Sequence, residues 1–224
     1  MLMRDVEIKQ AIDRKEIVIA PLNPDRLQGA SYDLAVGGEA LVSNSDEKII
    51  LGPGSSTSLH LEAGDFALVL TRESVKVATD IAGVIGMRSS LARRGLMLLA
   101  GMQIDPGFQG HLRFGLYNAS PRKITLDYDD GICMIEFHRL AGPVERPQEP
   151  IPELLAGKIP ESDRAYLRTL ETTSLSELSR NMQSMSENVS ARTRQMRWLT
   201  WFLVPTISGI FVALAAAIII SLWD

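Results

Sequence analysis

From Ile17 to about Pro143 the chain breaks into short apolar or alternating runs: EIVIAP, EALVS, KIILGPG, FALVLT, AGVIGM, LMLLAG, HLRFGLYN, KITLDY and GICMIEF. Gly, Pro, Asn and Asp separate them, and runs of this length bounded by turn residues are strand signals. No helix-length periodic segment interrupts the series, so the stretch predicts an all-β sandwich or barrel. Ahead of it, Val6, Ile8 and Ile12 recur among polar residues between Asp5 and Lys15. That spacing predicts a short amphipathic helix within a lead-in over 1–16.

The pattern then changes three times. Pro147, Pro150, Pro152 and Pro160 predict a stiff, extended linker over 147–161 with little room for a core, closing a β-domain over 17–146. Leu175, Leu178, Met182, Met185, Val189 and Met196 follow at spacings of three and four, with Arg192 in the one slot lacking an apolar residue. On a helix over 162–197 these positions form a heptad seam, which a coiled-coil stalk buries by pairing with copies of itself. A single amphipathic helix lying on the β-domain or on a membrane surface is the other arrangement the pattern allows.

From Trp198 to Trp223 the chain carries no Asp, Glu, Lys, Arg or His. A bilayer core requires only about 20 such residues. Thirteen residues of the stretch are Leu, Ile, Phe or Val, and together they favour insertion by about 4–8 kcal/mol. Trp198, Trp201 and Trp223 suit the two headgroup layers, and Arg192, Arg194 and Arg197 crowd the N-terminal flank. The expectation is a single-pass C-terminal transmembrane helix that keeps the preceding domain in the cytoplasm.

Composition narrows the partners. The 224 residues carry a formal net charge of −4 and a sequence pI near 5.5, without the basic excess of a nucleic-acid binder. A single cysteine, Cys133 in an apolar run, excludes an intramolecular disulfide and a cysteine-based metal site, and fits a reducing cytoplasm. The charged stretch from Met1 to Asp13 lacks the apolar centre of a secretory signal. His60, His111 and His138 stand too far apart for metal-ligand spacing, so no protein metal site is expected.

Four clusters carry residue types that strands do not need: Gly29-Ala-Ser-Tyr-Asp33-Leu, Gly86-Met-Arg88-Ser89-Ser90-Leu-Ala-Arg93-Arg94-Gly95, Gln103-Ile-Asp105-Pro-Gly107-Phe108-Gln-Gly110, and Tyr117-Asn118 with the run to Phe137. Arg88 beside two hydroxyls and near Arg93 suits a polyphosphate, because guanidinium forks and hydroxyl donors both satisfy phosphate oxygens. Alone, Arg-Ser-Ser is equally a solvated turn with an ion pair, and Asp105 before Pro-Gly is equally an Asx turn.

Together and in this order, the clusters resemble the dCTP deaminase and dUTPase superfamily over roughly Ile17 to Pro143. LHLEAGDFALVLTRESV leading to MRSSLARRGL is closer to the deaminases. The resemblance implies a distorted all-β barrel that forms a homotrimer, with nucleotide sites at the subunit interfaces. It implies Arg88, Ser89, Ser90 and Arg93 on the triphosphate, with Mg2+ on the phosphates. Asp105 matches the aspartate that activates water in dUTPases, and Phe108 matches the aromatic residue that supports the deoxyribose. The ligands implied are dCTP, dUTP and dTTP.

Three departures bear on activity. The deaminase glutamate, a general acid and base, falls at Gly115, and a glycine there also opens volume beside the base. General acid–base assistance is typically worth 10²–10⁴-fold, so deamination by that route is not expected. The C-terminal lid of the family is replaced by the Pro-rich stretch and the seam, and Met134 stands where dUTPases carry a glutamine. Two functions follow as expectations: a membrane-anchored deaminase-like protein that binds and turns over deoxyribonucleoside triphosphates, with dUTP diphosphatase chemistry at Asp105 as the surviving variant, or a catalytically impaired sensor signalling through its membrane helix.

Overall fold

The structure, a computed structural model, describes residues 1–43, 45 and 47–169. The expected membrane helix over 198–223, and the expected stalk beyond 169, lie outside the described residues. No helix among the described residues is long and apolar enough to cross a membrane.

Eleven strands and four short helices are described. Helix α1 spans Asp5–Asp13 and precedes β1 (Ile17–Ala20). The long strands are β2 (Tyr32–Val42), β5 (Phe66–Val77), β6 (Ile81–Met87), β9 (Gln109–Asn118) and β11 (Gly131–Arg139). Shorter ones are β3 (Lys48–Ile50), β4 (Leu59–Leu61), β7 (Leu96–Leu99), β8 (Gln103–Ile104) and β10 (Ile124–Leu126). Helix α2 (Ser89–Ala92) links β6 to β7, while α3 (Pro152–Leu155) and α4 (Glu161–Thr169) follow the last strand.

The main sheet runs β7-β9-β5-β2-β11-β6-β8, with β1 on β5, β3 on β2, and β4 and β10 as a separate ribbon. Every pairing is antiparallel. Strand β2 joins the two halves because a register shift between Val36 and Ala40 lets it pair β11 at its start and β5 at its end. Such bulges bend a strand and raise its twist, which curls the sheet into the expected barrel-like form. Gly37 sits at that crossing, where a Cβ would lie 2.4 Å from the Thr71 carbonyl oxygen.

Alternation decides what fills the curl. On β5, Ala67 and Val69 face the main core, as do Leu112, Phe114 and Leu116 on β9. Tyr32, Ile135 and Phe137 from β2 and β11 are fully buried in the same core. Members of two of the four clusters set apart in the sequence therefore serve the framework: Tyr32 opens β2, and Asn118 closes β9 with no exposed surface. The Asn118 amide donates to the carbonyls of Leu61, Glu62 and Arg122, tying β9 to the β4–β10 ribbon.

Residues 1–16 do more than lead in. Ile8 and Ala11 of α1 join the main core, Met3 donates its N–H to the Phe137 carbonyl, and the Glu7 carboxylate accepts the Arg4 N–H at the helix start. One buried charge, Glu73 on β5, accepts from the Ala35 N–H and from Arg26, each at 2.9 Å. Burial pushes its carboxyl up from the ordinary value, and these two donors oppose the rise.

The Pro-rich stretch corrects an expectation. Instead of ending the domain as an extended linker over 147–161, it folds back along the outside of the sheet. Leu154, Ile159 and Leu167 pack with Leu41 and Leu70 into a second core, against which Phe66, Leu68, Phe108 and Ile151 lie. The proline at 152 starts α3, where its missing N–H costs nothing. The outer faces of β2 and β5 carry apolar side chains that need cover, Leu41 on the first and Phe66, Leu68 and Leu70 on the second, and this segment supplies it. Helix α4 begins within one residue of the expected stalk, yet Leu167 turns inward to the second core.

Candidate functional site

Arg88 follows the last residue of β6, and its N–H donates to the Ile132 carbonyl, fixing the backbone beside β11. The Arg88 Nη2 stands 3.5 Å from the Asp33 Oδ2 on β2, and the Arg88 side chain is 41% exposed against 15% for Asp33. Any Cβ at position 131 would collide with the Arg88 guanidinium, so Gly131 leaves the space in which that group lies. Asp33 and Gly131 thus aim a half-exposed cation beside the exposed Ser89 and Ser90. Arg93, one helical turn on, is exposed as well. The four residues expected to hold a triphosphate form one group along α2.

The second group is the turn Asp105-Pro-Gly-Phe. The Phe108 N–H donates to the Asp105 carbonyl at 3.1 Å, and Gly107 takes φ +87°, the left-handed geometry that glycine supplies at the third position of a type II turn. The Asp105 carboxylate is exposed and accepts from the Gln103 amide at 2.8 Å. Phe108, expected to support a sugar, is half-buried and packs between the two cores.

One chain does not bring these groups together. In the β6–β8 ladder Ile104 pairs with Gly83, while Arg88 lies five residues further along the chain, just past the end of β6, roughly 16 Å of extended chain. Asp105 extends in the opposite direction. Neither side chain spans that distance.

Gly115 lies near the α2 end of β9, paired with Leu68 on β5 and Leu99 on β7. The expected open volume is absent. A Cβ at 115 would lie 2.5 Å from Phe66 Cε2, 2.9 Å from its Cζ and 3.0 Å from the Leu99 carbonyl oxygen. Phe66 pairs with Tyr117, so it is the diagonal neighbour of Gly115 on the same face, within the reach of an aromatic ring. The ring covers the bare glycine.

Sequence reading did not single out Gly131 or Phe66, and gave Asp33 no role. Asp33 sits inside the first of the four clusters, but its pairing with Arg88 depends on the β2–β11–β6 ladder, in which Met134 pairs with both Asp33 and Gly86. No local signal carries that. Among the described residues no cluster of three metal-ligating side chains exists. Mg2+ arriving on nucleotide phosphates needs at most one or two carboxylates, and the exposed Asp105 fits that limited demand.

The dCTP deaminase-like family model matches residues 2–140. A dCTP deaminase of Thermococcus kodakarensis is 42% identical over 134 residues, covering 60% of this chain and 83% of that protein. One of Pyrococcus abyssi is 38% identical over 153 residues, covering 66% and 89%. A solved 2'-deoxycytidine 5'-triphosphate deaminase of Agrobacterium tumefaciens is 22% identical, with a TM-score of 0.48, over 61% of this chain and 48% of that one.

Proposed function

The chain belongs to the dCTP deaminase-like family, and from that premise we propose that it binds deoxyribonucleoside triphosphates at sites shared between copies, without deaminating them through position 115. The observation that carries this reading is the arrangement of Arg88: a half-exposed guanidinium held by Asp33 over Gly131, beside two exposed hydroxyls. Guanidinium forks and hydroxyls match phosphate oxygens in geometry and charge. Arg88, Ser89, Ser90 and Arg93 hold the triphosphate. Mg2+ bound with the nucleotide neutralises phosphate charge there. The Asp105–Phe108 turn comes from a neighbouring copy, since one chain holds the two groups too far apart. A cyclic trimer, as the family resemblance implies, supplies that neighbour to every site.

Deamination at 115 lacks both a proton-transferring group and the room for one. The exposed Asp105 carboxylate favours a second reading, dUTP diphosphatase chemistry, which needs a carboxylate near the α-phosphate and nothing at 115. The uncharged stretch over 198–223 supports membrane anchorage of the assembly with the nucleotide sites on the cytoplasmic side.

Calorimetry with dCTP, dUTP and dTTP in the presence of Mg2+, alongside assays for deoxyuridine product and pyrophosphate, tests the proposal. Binding without deoxyuridine product is expected. Pyrophosphate release selects the second reading, and absence of binding at millimolar nucleotide overturns both. Mixing Arg88→Ala with Asp105→Ala chains tests the sharing. Unfolded together and refolded, they should regain roughly a quarter of wild-type sites, the share in which an intact Arg88 meets an intact Asp105 around a cyclic ring.

A further inference from the structure

The segment after the last strand follows β9 step by step. Pro147 and Gln148 cross Gly107, and the Gln148 N–H donates to the Pro106 carbonyl at 2.8 Å. Leu154 lies over Gly110, where an added Cβ would stand 3.0 Å from its backbone. Gly157 rests against the His111 ring, and Asp163 pairs with Arg113. Contacts at 107, 110, 111 and 113 with partners at 147, 154, 157 and 163 describe a strap running alongside β9, from the Asp105–Phe108 turn toward the α2 end of the strand.

Its anchors are substantial. The Ile159 N–H donates to the buried Glu39 carboxylate, which also pairs with Lys48 at 2.9 Å. Leu154, Ile159 and Leu167 are buried in the second core, and both Phe108 and Phe66 lie against that core. One ring belongs to the turn that carries Asp105, and the other covers Gly115. The strap therefore backs a wall at each end of β9, and it lies beyond residue 140, where the family match stops.

We infer that the strap over 147–167 is a positioning element for the nucleotide site: docked, it holds the Asp105–Phe108 turn and the Phe66 ring in the binding arrangement, and released, it lets both loosen. This rests on the nucleotide reading above and adds its regulation, because the strap touches both the Asp105–Phe108 turn and the ring over Gly115. Linkage makes the effect reciprocal, so nucleotide must stabilise the docked strap by the factor by which docking improves affinity.

The test uses the full chain in mild detergent, with hydrogen exchange and calorimetry on the wild type and on the Leu154→Asp/Ile159→Asp double variant. In the variant, exchange should rise at the strap and at residues 105–111 while β6 and β11 stay protected, and nucleotide affinity should fall on the order of fivefold or more. In the wild type, saturating dCTP or dUTP should slow exchange at Gln148 and over 155–159, a readout that stands even if the variant fails to fold. Unchanged affinity in a variant whose strap exchanges freely overturns the inference, as does a wild-type strap indifferent to bound nucleotide. If the wild type binds no nucleotide, the nucleotide reading fails separately. Exchange at 105–111 without ligand then decides whether the strap holds the turn, and equal exchange in both proteins refutes it.

Discussion

Strand β9 has two faces that are covered in different ways. Its inner face sends Leu112, Phe114 and Leu116 into a core assembled from nearly every strand, with Asn118 fully buried at the end of the row. Its outer face carries His111, Arg113, Gly115 and Tyr117, covered by the strap along one part and by the Phe66 ring along another. The inner face is held by shape and apolar area. The outer face is held by a satellite cluster, one ion pair and a few hydrogen bonds to a segment that arrives from beyond the last strand. The inner core joins nearly every strand and the outer one only a handful of side chains, so the outer one is expected to open first.

The contrast can be broken by mutation. Phe114→Ala, which empties a buried ring site, should cost about 3–5 kcal/mol and shift the cooperative denaturant transition of the whole domain. Asn118→Ala strands three carbonyls and should cost about 2–3 kcal/mol, again in the global transition, with nucleotide affinity per folded molecule unchanged. Leu154→Ala should cost about 2 kcal/mol, but the loss should appear as faster hydrogen exchange confined to the strap and the Asp105–Phe108 turn. A global shift as large as that of Phe114→Ala would merge the two cores into one cooperative unit.

Two smaller effects sharpen the picture. Gly115→Ala forces the Phe66 ring aside and should cost about 1–2 kcal/mol. Combining it with Phe66→Ala should recover most of that loss in a double-mutant cycle, and additive losses would show that the ring does not fill the site. Cys133 faces the inner core, and burial pushes its thiol well above the ordinary value. Native protein should resist iodoacetamide at pH 8 and react once per chain in denaturant; labelling at the rate of a free thiol would mean that the inner core opens readily.

The inner core was legible because period-two alternation is a local property. FALVLT, HLRFGLYN and GICMIEF state which side of each strand is apolar, and β5, β9 and β11 follow them. Arg88, Ser89 and Ser90 were legible as one cationic, hydroxyl-bearing group because they are contiguous in the chain. The two-residue β8 gave no signal, being too short to alternate. The strap was read as a linker because prolines mark extended chain, and nothing local tells an extended chain in solvent from one lying on a sheet.

What the amino-acid sequence determined alone is the β-rich class, the order of the motifs, the contiguous cationic group and a glycine at position 115. Only the tertiary structure decided that Asp33 and Gly131 aim Arg88, that Arg88 and Asp105 lie too far apart for one chain to join, that Phe66 fills the space above Gly115, and that the strap runs beside β9. Each is a contact between residues distant in the chain, set by strand register and by the bulges that curl the sheet. A one-residue change of register would turn every such side chain to the opposite face.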